Sequence, residues 1–175
     1  MERDSLELAN WFLDRAERDG RSLTLLQVLK LVYIAHGWHL AFLDEPLVSE
    51  QVEAWKHGPV LRSIYRSLAQ YGGRPIDGRA MEDVGPDAGQ PIPAYRSDDG
   101  NAEALLTAVW NKYGRMTAGQ LYTITHEEGS PWAQTWHEGA RYGRPLVIDN
   151  DLIKRHYLEK KKKNEQVAER RAVEG

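Results

Sequence analysis

Ser22 to Phe42 reads SLTLLQVLKLVYIAHGWHLAF, and how this stretch is read decides the fold. Between Leu25 and Phe42 the polar side chains are Gln27, Lys30, His36 and His39. At about 100° per residue these four scatter around a helix and do not share a face. A helix apolar on nearly all sides belongs in the interior of a domain. Its start is written in the residues: Thr24 followed by Gln27 fits a capping box, and Leu23 and Val28 are spaced to staple the first turn. The helix therefore begins near Leu25 and, at its usual rise, is about 27 Å long, the width of a small domain. That length marginally spans a bilayer, but a lysine and two histidines within it argue for a protein interior and against a membrane.

The rest of the composition agrees with one soluble domain. The chain has 175 residues, 41% of them hydrophobic, enough to bury a core of its own. Its 6 Trp and 8 Tyr against 2 Phe mean that much of the buried aromatic surface carries a polar tip in need of a partner. Cysteine is absent, which excludes disulfides, thiol nucleophiles and Cys-ligated zinc and fits a reducing compartment. The opening residues MERDSLELANW are charged and lack an apolar h-region, so no signal peptide and a cytoplasmic location are expected. Formal charge is asymmetric: from Asp151 onward it is +3, and over the remainder -6. An acidic body makes nucleic acid an unlikely partner, because phosphate neutralisation needs a clustered positive surface.

Outward from the central helix, Glu7 to Glu17 carries an apolar stripe through Leu6, Ala9, Leu13 and Ala16, closed by Gly20. The short connection makes this helix an antiparallel neighbour of the central one. Pro46 stops the central helix, and Leu47 to Trp55 is extended by composition. Gly58-Pro59 predicts a sharp corner with Pro59 in the first turn of a helix, whose stripe is Val60, Leu61, Ile64, Tyr65 and Leu68. Residues 74–100 hold four of the eight prolines and read as a long loop, pinned at intervals by Met81, Val84, Ile92 and Tyr95. Ala102 to Tyr113 is helical again with Asn101 as N-cap and Gly114 as the stop. Thr117 to Gln120 forms a second capping box, and Ser130-Pro131 opens a short helix through Trp136. Arg144 to Ile148 is extended and a candidate to pair with the earlier extended segment. Asp149 or Asn150 caps a last helix that is apolar through Leu158 and highly charged beyond it. The fold class expected is mainly α: a compact multi-helix domain around a central buried helix at about 25–42, with a minor two-stranded β element. The domain spans 1–158, and 159–175 forms a charged, basic helical tail that reads first as a solvated face.

The residues carry no clear catalytic pattern. No H-E-x-x-H or similar ligand run surrounds the 6 histidines, no Gly-rich loop opens a helix after a strand, and no G-x-S-x-G is present. No catalytic residue, metal or cofactor is expected. His36 and His39 read as helix-interior histidines bonded to neighbours. A hydrolase or metal enzyme using His57 and His126, and a nucleic-acid-binding regulator using the basic tail, remain as competing readings.

Four blocks together carry a resemblance. Lys30 to Leu40 (KLVYIAHGWHL), Pro46-Leu47, Glu53 to Val60 (EAWKHGPV) with Tyr65 beyond it, and Leu121-Tyr122, Thr125-His126, Glu128 and Pro131-Trp132 follow one another at fitting distances. In this combination the chain resembles the Panacea domain, the SocA-like antitoxin family also described as phage-associated proteins, over about Leu6 to Tyr157. The resemblance implies a helical, cytoplasmic, non-enzymatic antitoxin that neutralises a cognate toxin by direct binding. It also implies a proteolytic adaptor role, presenting the toxin to a Clp-type protease. Some relatives carry a DNA-binding helix-turn-helix extension; only a few residues precede the domain here, so none is expected. Among the motif residues, Leu31, Tyr33, Trp38, Trp55, Tyr65 and Thr125 read as structural. Lys56, His57, Gly58, Pro59, His126, Glu127 and Trp132 are the candidates for partner contact.

Overall fold

A computed structural model describes residues 4–82, 86–87, 89–96 and 100–175. Helix α1 spans Ser5–Arg18, capped by Asp4, whose carboxylate accepts from Leu6 N at 2.7 Å. Gly20 follows it with φ +67°, the left-handed conformation expected just past a helix end. Helix α2, Leu25–Leu43, is the central one, and both halves of the Thr24–Gln27 capping box are formed. A cap of this kind stabilises by about 1 kcal/mol, so the register of α2 is set locally before packing acts on it. By length and composition α2 could cross a membrane, but 83% of the qualifying window is buried inside this protein. It packs against α1 and against five elements further along the chain: strand β2 (Gly58–Leu61) and helices α3 (Arg62–Leu68), α4 (Gly100–Tyr113), α5 (Ala118–Thr125) and α7 (Asn150–Glu174). Gly37 admits α7, because a Cβ there would collide with the Tyr157 ring.

The β element has three strands, not two. Strand β1 (Val52–Trp55) lies between β2 and β3 (Leu146–Val147), antiparallel to both. The pairing of 144–148 with the earlier extended segment is present, with Glu53 opposite Val147 and Ala54 opposite Leu146. Gly58 to Leu61, however, is strand where a corner and helix start were expected. A two-residue turn at Lys56-His57 reverses the chain, and Gly58 sits opposite Trp55 with φ +111°. Val60 and Leu61 are buried from the strand and are not part of a helical stripe. Pro59 is tolerated because β2 is an edge strand, and α3 begins only at Arg62.

Other boundaries shift for local reasons. Helix α4 begins at Gly100, which places Asn101 inside its first turn and not at the N-cap. Helix α6, Pro131–Tyr142, starts at the expected Ser130 cap but runs past Trp136 until Gly143, φ +64°, ends it. Asp149 caps α7, which continues as one helix to Glu174; every residue from Lys162 onward is exposed.

The 74–100 segment is a strap over α1, with an isolated bridge between Met81 and Pro91 and, before α4 opens at Gly100, no helix or longer strand among its described residues. Buried Asn10 ties it down, accepting from Ala80 N at 2.7 Å and donating to Ala80 O at 3.0 Å and Ile92 O at 2.6 Å. Tyr95 is buried and Ile92 packs against the core, whereas Val84 lies outside the described residues. Four of the six tryptophans find partners for their N–H groups here: Trp11 donates to Glu103, Trp110 to Asp19, Trp38 to Tyr113 and Trp55 to Glu53.

Candidate functional site

The third and fourth motif blocks, far apart in sequence, meet around Lys30. This lysine is fully buried in the second turn of α2, and its Nζ donates to His57 O at 2.8 Å and Pro59 O at 3.3 Å. It thereby holds the β1–β2 hairpin to the core by the two carbonyls that flank Gly58. Burial pushes its pKa down to about 7, since an ammonium inside the protein loses hydration that two carbonyls replace only in part. A Cβ on Gly58 would collide with Lys30 Nζ and His126 Cε1, so glycine is required here both for its φ and for its size.

His126 closes the hub from the other side. It is the C-cap residue of α5, and its ring stacks on Tyr122 (centroids 3.5 Å, 14°) and leans on Trp132 (3.9 Å, 51°). Its Nδ1 lies 2.8 Å from Tyr122 O, which requires the proton on Nδ1 and leaves Nε2 as a bare acceptor. Nε2 is buried without a hydrogen-bond partner among the described residues. Burial first, then the nearby Lys30 and His57, lower the His126 pKa to about 4, so the ring is neutral at pH 7. Trp132, delivered by the Ser130-Pro131 helix start, donates to Trp55 O at 2.7 Å and stacks on Trp136. Thr125 is buried with its hydroxyl on Leu121 O.

The structure thus divides the proposed contact residues. Gly58, Pro59 and Trp132 are buried in the hub, and His126 is half-buried beneath Tyr122. Lys56 and His57 project from the hairpin tip and are exposed, as is Glu127, which pairs with Lys160 of α7 at 3.1 Å. Beside the tip lies a shallow cleft of about 280 Å³ between Trp55, Lys56, Trp136, Gly139, Arg144 and Pro145. Of the residues read as structural, Leu31, Tyr33 and Trp38 are buried, and the Trp55 ring packs tilted against Tyr65 (4.9 Å, 56°), leaving Tyr65 38% exposed.

Lys30 and Tyr122 were not singled out as site residues from the sequence. The signal for Lys30 was present: it is the one charge in an otherwise apolar buried helix. Among the described residues no three His, Asp or Glu side chains converge as a metal-binding group. His36 and His39 satisfy the sequence reading, with His36 Nε2 2.9 Å from Asn150 Oδ1 and His39 Nδ1 2.6 Å from Glu45 O. The polar atoms of the hub thus mainly hold the protein's own backbone in place.

Comparison with known proteins gives a concordant result. The family model described as "Antitoxin SocA-like, Panacea domain" matches residues 28–133. Antitoxin SocA of Caulobacter vibrioides is 34% identical over 161 residues, covering 86% of this chain and 80% of that protein. No solved structure matches the chain.

Proposed function

The chain belongs to the SocA-like, Panacea-domain antitoxin family, and from that premise we propose that it neutralises a cognate toxin by binding it directly, without catalysis of its own. The observation that carries this reading is the hub: the family motif builds a rigid scaffold whose buried polar groups hold backbone carbonyls, and it presents only the hairpin tip and its neighbours to solvent. Such a scaffold suits recognition by shape and charge. Lys56 and His57, with the cleft beside them and the α5–α6 connection, form one contact region in this reading. Residues 1–158 act as the antitoxin domain in the cytoplasm, and the exposed end of α7 is a solvated extension.

The experiment is co-expression with the protein encoded beside it. Growth arrest by that protein alone, relieved by this chain, together with a stoichiometric complex on gel filtration, supports neutralisation by binding; arrest that persists despite soluble antitoxin sinks it. Presentation of the bound toxin to a Clp-type protease belongs to the same proposal. It requires the toxin's half-life to shorten when antitoxin, protease and ATP are combined. An unchanged half-life leaves neutralisation by binding as the whole activity.

A further inference from the structure

Sharing no lining residue with the hairpin, a trough of about 480 Å³ lies between the end of α2, one flank of α4 and the outer part of α7. One wall is a continuous stripe of α4 through Ala104, Leu105, Ala108, Val109 and Lys112. Together with Asn101 this stripe runs about 16 Å, three turns of a helix. Ala104 and Ala108 are exposed one turn apart, and their small side chains leave the trough deep enough for a backbone to approach. The floor is aromatic: Trp38 stacks on Phe42 (5.6 Å, 28°), and Phe42 is 53% exposed although it belongs to the otherwise buried central helix. An aromatic exposed in a mostly apolar concavity is the feature that marks an anchor pocket.

Three charged side chains line the trough, Lys112 and Lys161 against the single carboxylate of Glu165, so its balance is positive. Lys112 Nζ lies over the Tyr113 and Trp38 rings at 5.3 and 5.9 Å, and Lys161 Nζ lies 4.8 Å over Phe42. Their stems cover apolar surface while the ammonium groups stand at the edge. Among the described residues neither is in an ion pair with a carboxylate. Both walls are helix flanks and offer no strand edge, so an added strand would find no backbone partner there. The trough is open along its length, unlike a cavity that encloses a small molecule.

We propose that this trough seats an amphipathic α-helix of the toxin, with its apolar face on Phe42, Ala104 and Ala108 and its carboxylates against Lys112 and Lys161. The proposal rests on the antitoxin reading for the identity of the partner. It places the apolar part of recognition on a surface distinct from the hairpin tip, following the rule by which helix-in-groove complexes read anchors at i, i+3, i+4 and i+7.

The test has two arms on the full chain. In the first, a labelled synthetic helical peptide with leucines at those spacings and flanking glutamates is titrated by fluorescence anisotropy, beside the same peptide with lysine for glutamate. The glutamate peptide should bind and the lysine peptide should bind about tenfold more weakly or worse; Ala108→Gln should weaken the first by about tenfold at unchanged Tm, and Lys112→Glu/Lys161→Glu should reverse the preference. In the second arm the same variants are titrated with the toxin identified by growth rescue. Equal binding of both peptides, indifference to Ala108→Gln, or a concentration-dependent dimer of this chain that disappears in Ala108→Gln would each overturn the trough as a toxin seat, while growth rescue stands. Failure of rescue with peptide binding intact would overturn the antitoxin reading, and with it the toxin as occupant, while the trough stands as a helix seat.

Discussion

The hub around Lys30 and the trough above Phe42 are two ends of one helix used in opposite ways. In the hub, α2 presents a charged side chain to a tight hairpin, and nearly every polar atom is answered by backbone. In the trough, the same helix ends in an aromatic left uncovered beside small side chains and cations. Of the residues that identify the family, Lys30, Gly58, His126 and Trp132 build the hub, and most of the first block is buried along α2. The trough takes Trp38 from those motifs, while Phe42, the α4 stripe and Lys161 lie outside them. The motifs therefore speak mainly for the scaffold and little for what the trough accepts.

The largest effect should come from the hub's tightest point. Gly58→Ala forces a Cβ onto a residue at φ +111° and into Lys30 Nζ and His126. Strain and displaced hydrogen bonds together should cost about 3 kcal/mol or more. Chemical denaturation measures it, and toxin protection should fall in step with the folded fraction. A variant as stable as the parent would remove the hub's claim to hold the fold together.

Acid should be nearly as damaging. Burial holds the pKa of His36 near 4 and, with the nearby cations, that of His126 likewise, against about 6.5 in an unfolded chain. Between those values the unfolded state binds more protons, so the stability these two histidines contribute is complete above about pH 6.5 and falls as pH drops towards about 4. His36 alone accounts for on the order of 3 kcal/mol across that window. Denaturant midpoints at pH 7 and 4.5 check this, and His36→Gln should flatten the difference; an equally steep fall in that variant would place the proton uptake elsewhere.

Lys30 has the same sense in a different window. Its pKa near 7 when folded, against 10.5 for the ordinary ammonium, means that the unfolded chain holds the extra proton between those values. Stability should then rise with pH through that range, at up to about 1.4 kcal/mol per pH unit. Lys30→Met removes the group and should remove this slope. If parent and variant kept parallel profiles from pH 8 to 10, the lysine would be charged in the fold throughout.

How legible these two regions are in the sequence follows from their physics. Capping boxes at Thr24 and Thr117 and the Ser130-Pro131 start were readable because each is decided within four residues. The buried character of α2 was readable because its apolar pattern is continuous. Strand β2 was misread because Gly58-Pro59-Val60-Leu61 fits both a helix start and a hairpin return, and only the distant grip of Lys30 decides between them. The meeting of Gly58, His126 and Trp132 was legible only as a family resemblance. The trough was not legible at all: Ala104, Ala108 and Lys161 are ordinary on a helix surface, and only the packing of α4 and α7 across the end of α2 makes them neighbours.

The smallest effects should separate the floor of the trough from its surroundings. Ala108→Gln changes an exposed helix position and should leave stability within about 0.5 kcal/mol of the parent, in contrast to any change in the hub. Its effect on the toxin complex should appear in the dissociation rate, because the longer side chain obstructs close packing of the docked helix. Lys162 and Lys163 are exposed beyond the trough and line none of it. Charge reversal of both should slow association with an acidic helix and weaken its salt dependence, with dissociation unaltered, since peripheral charges act on encounter and not on the docked state. The chain's last nine residues set the baseline: Glu169 and Glu174 balance Arg170 and Arg171, so truncation after Gln166 should change neither rate. Stopped-flow measurement of both rate constants at two salt concentrations distinguishes the three variants. A faster dissociation after Lys162→Glu/Lys163→Glu, or an unchanged one after Ala108→Gln, would mean that the partner is held by the charged end of α7 and not by the apolar floor.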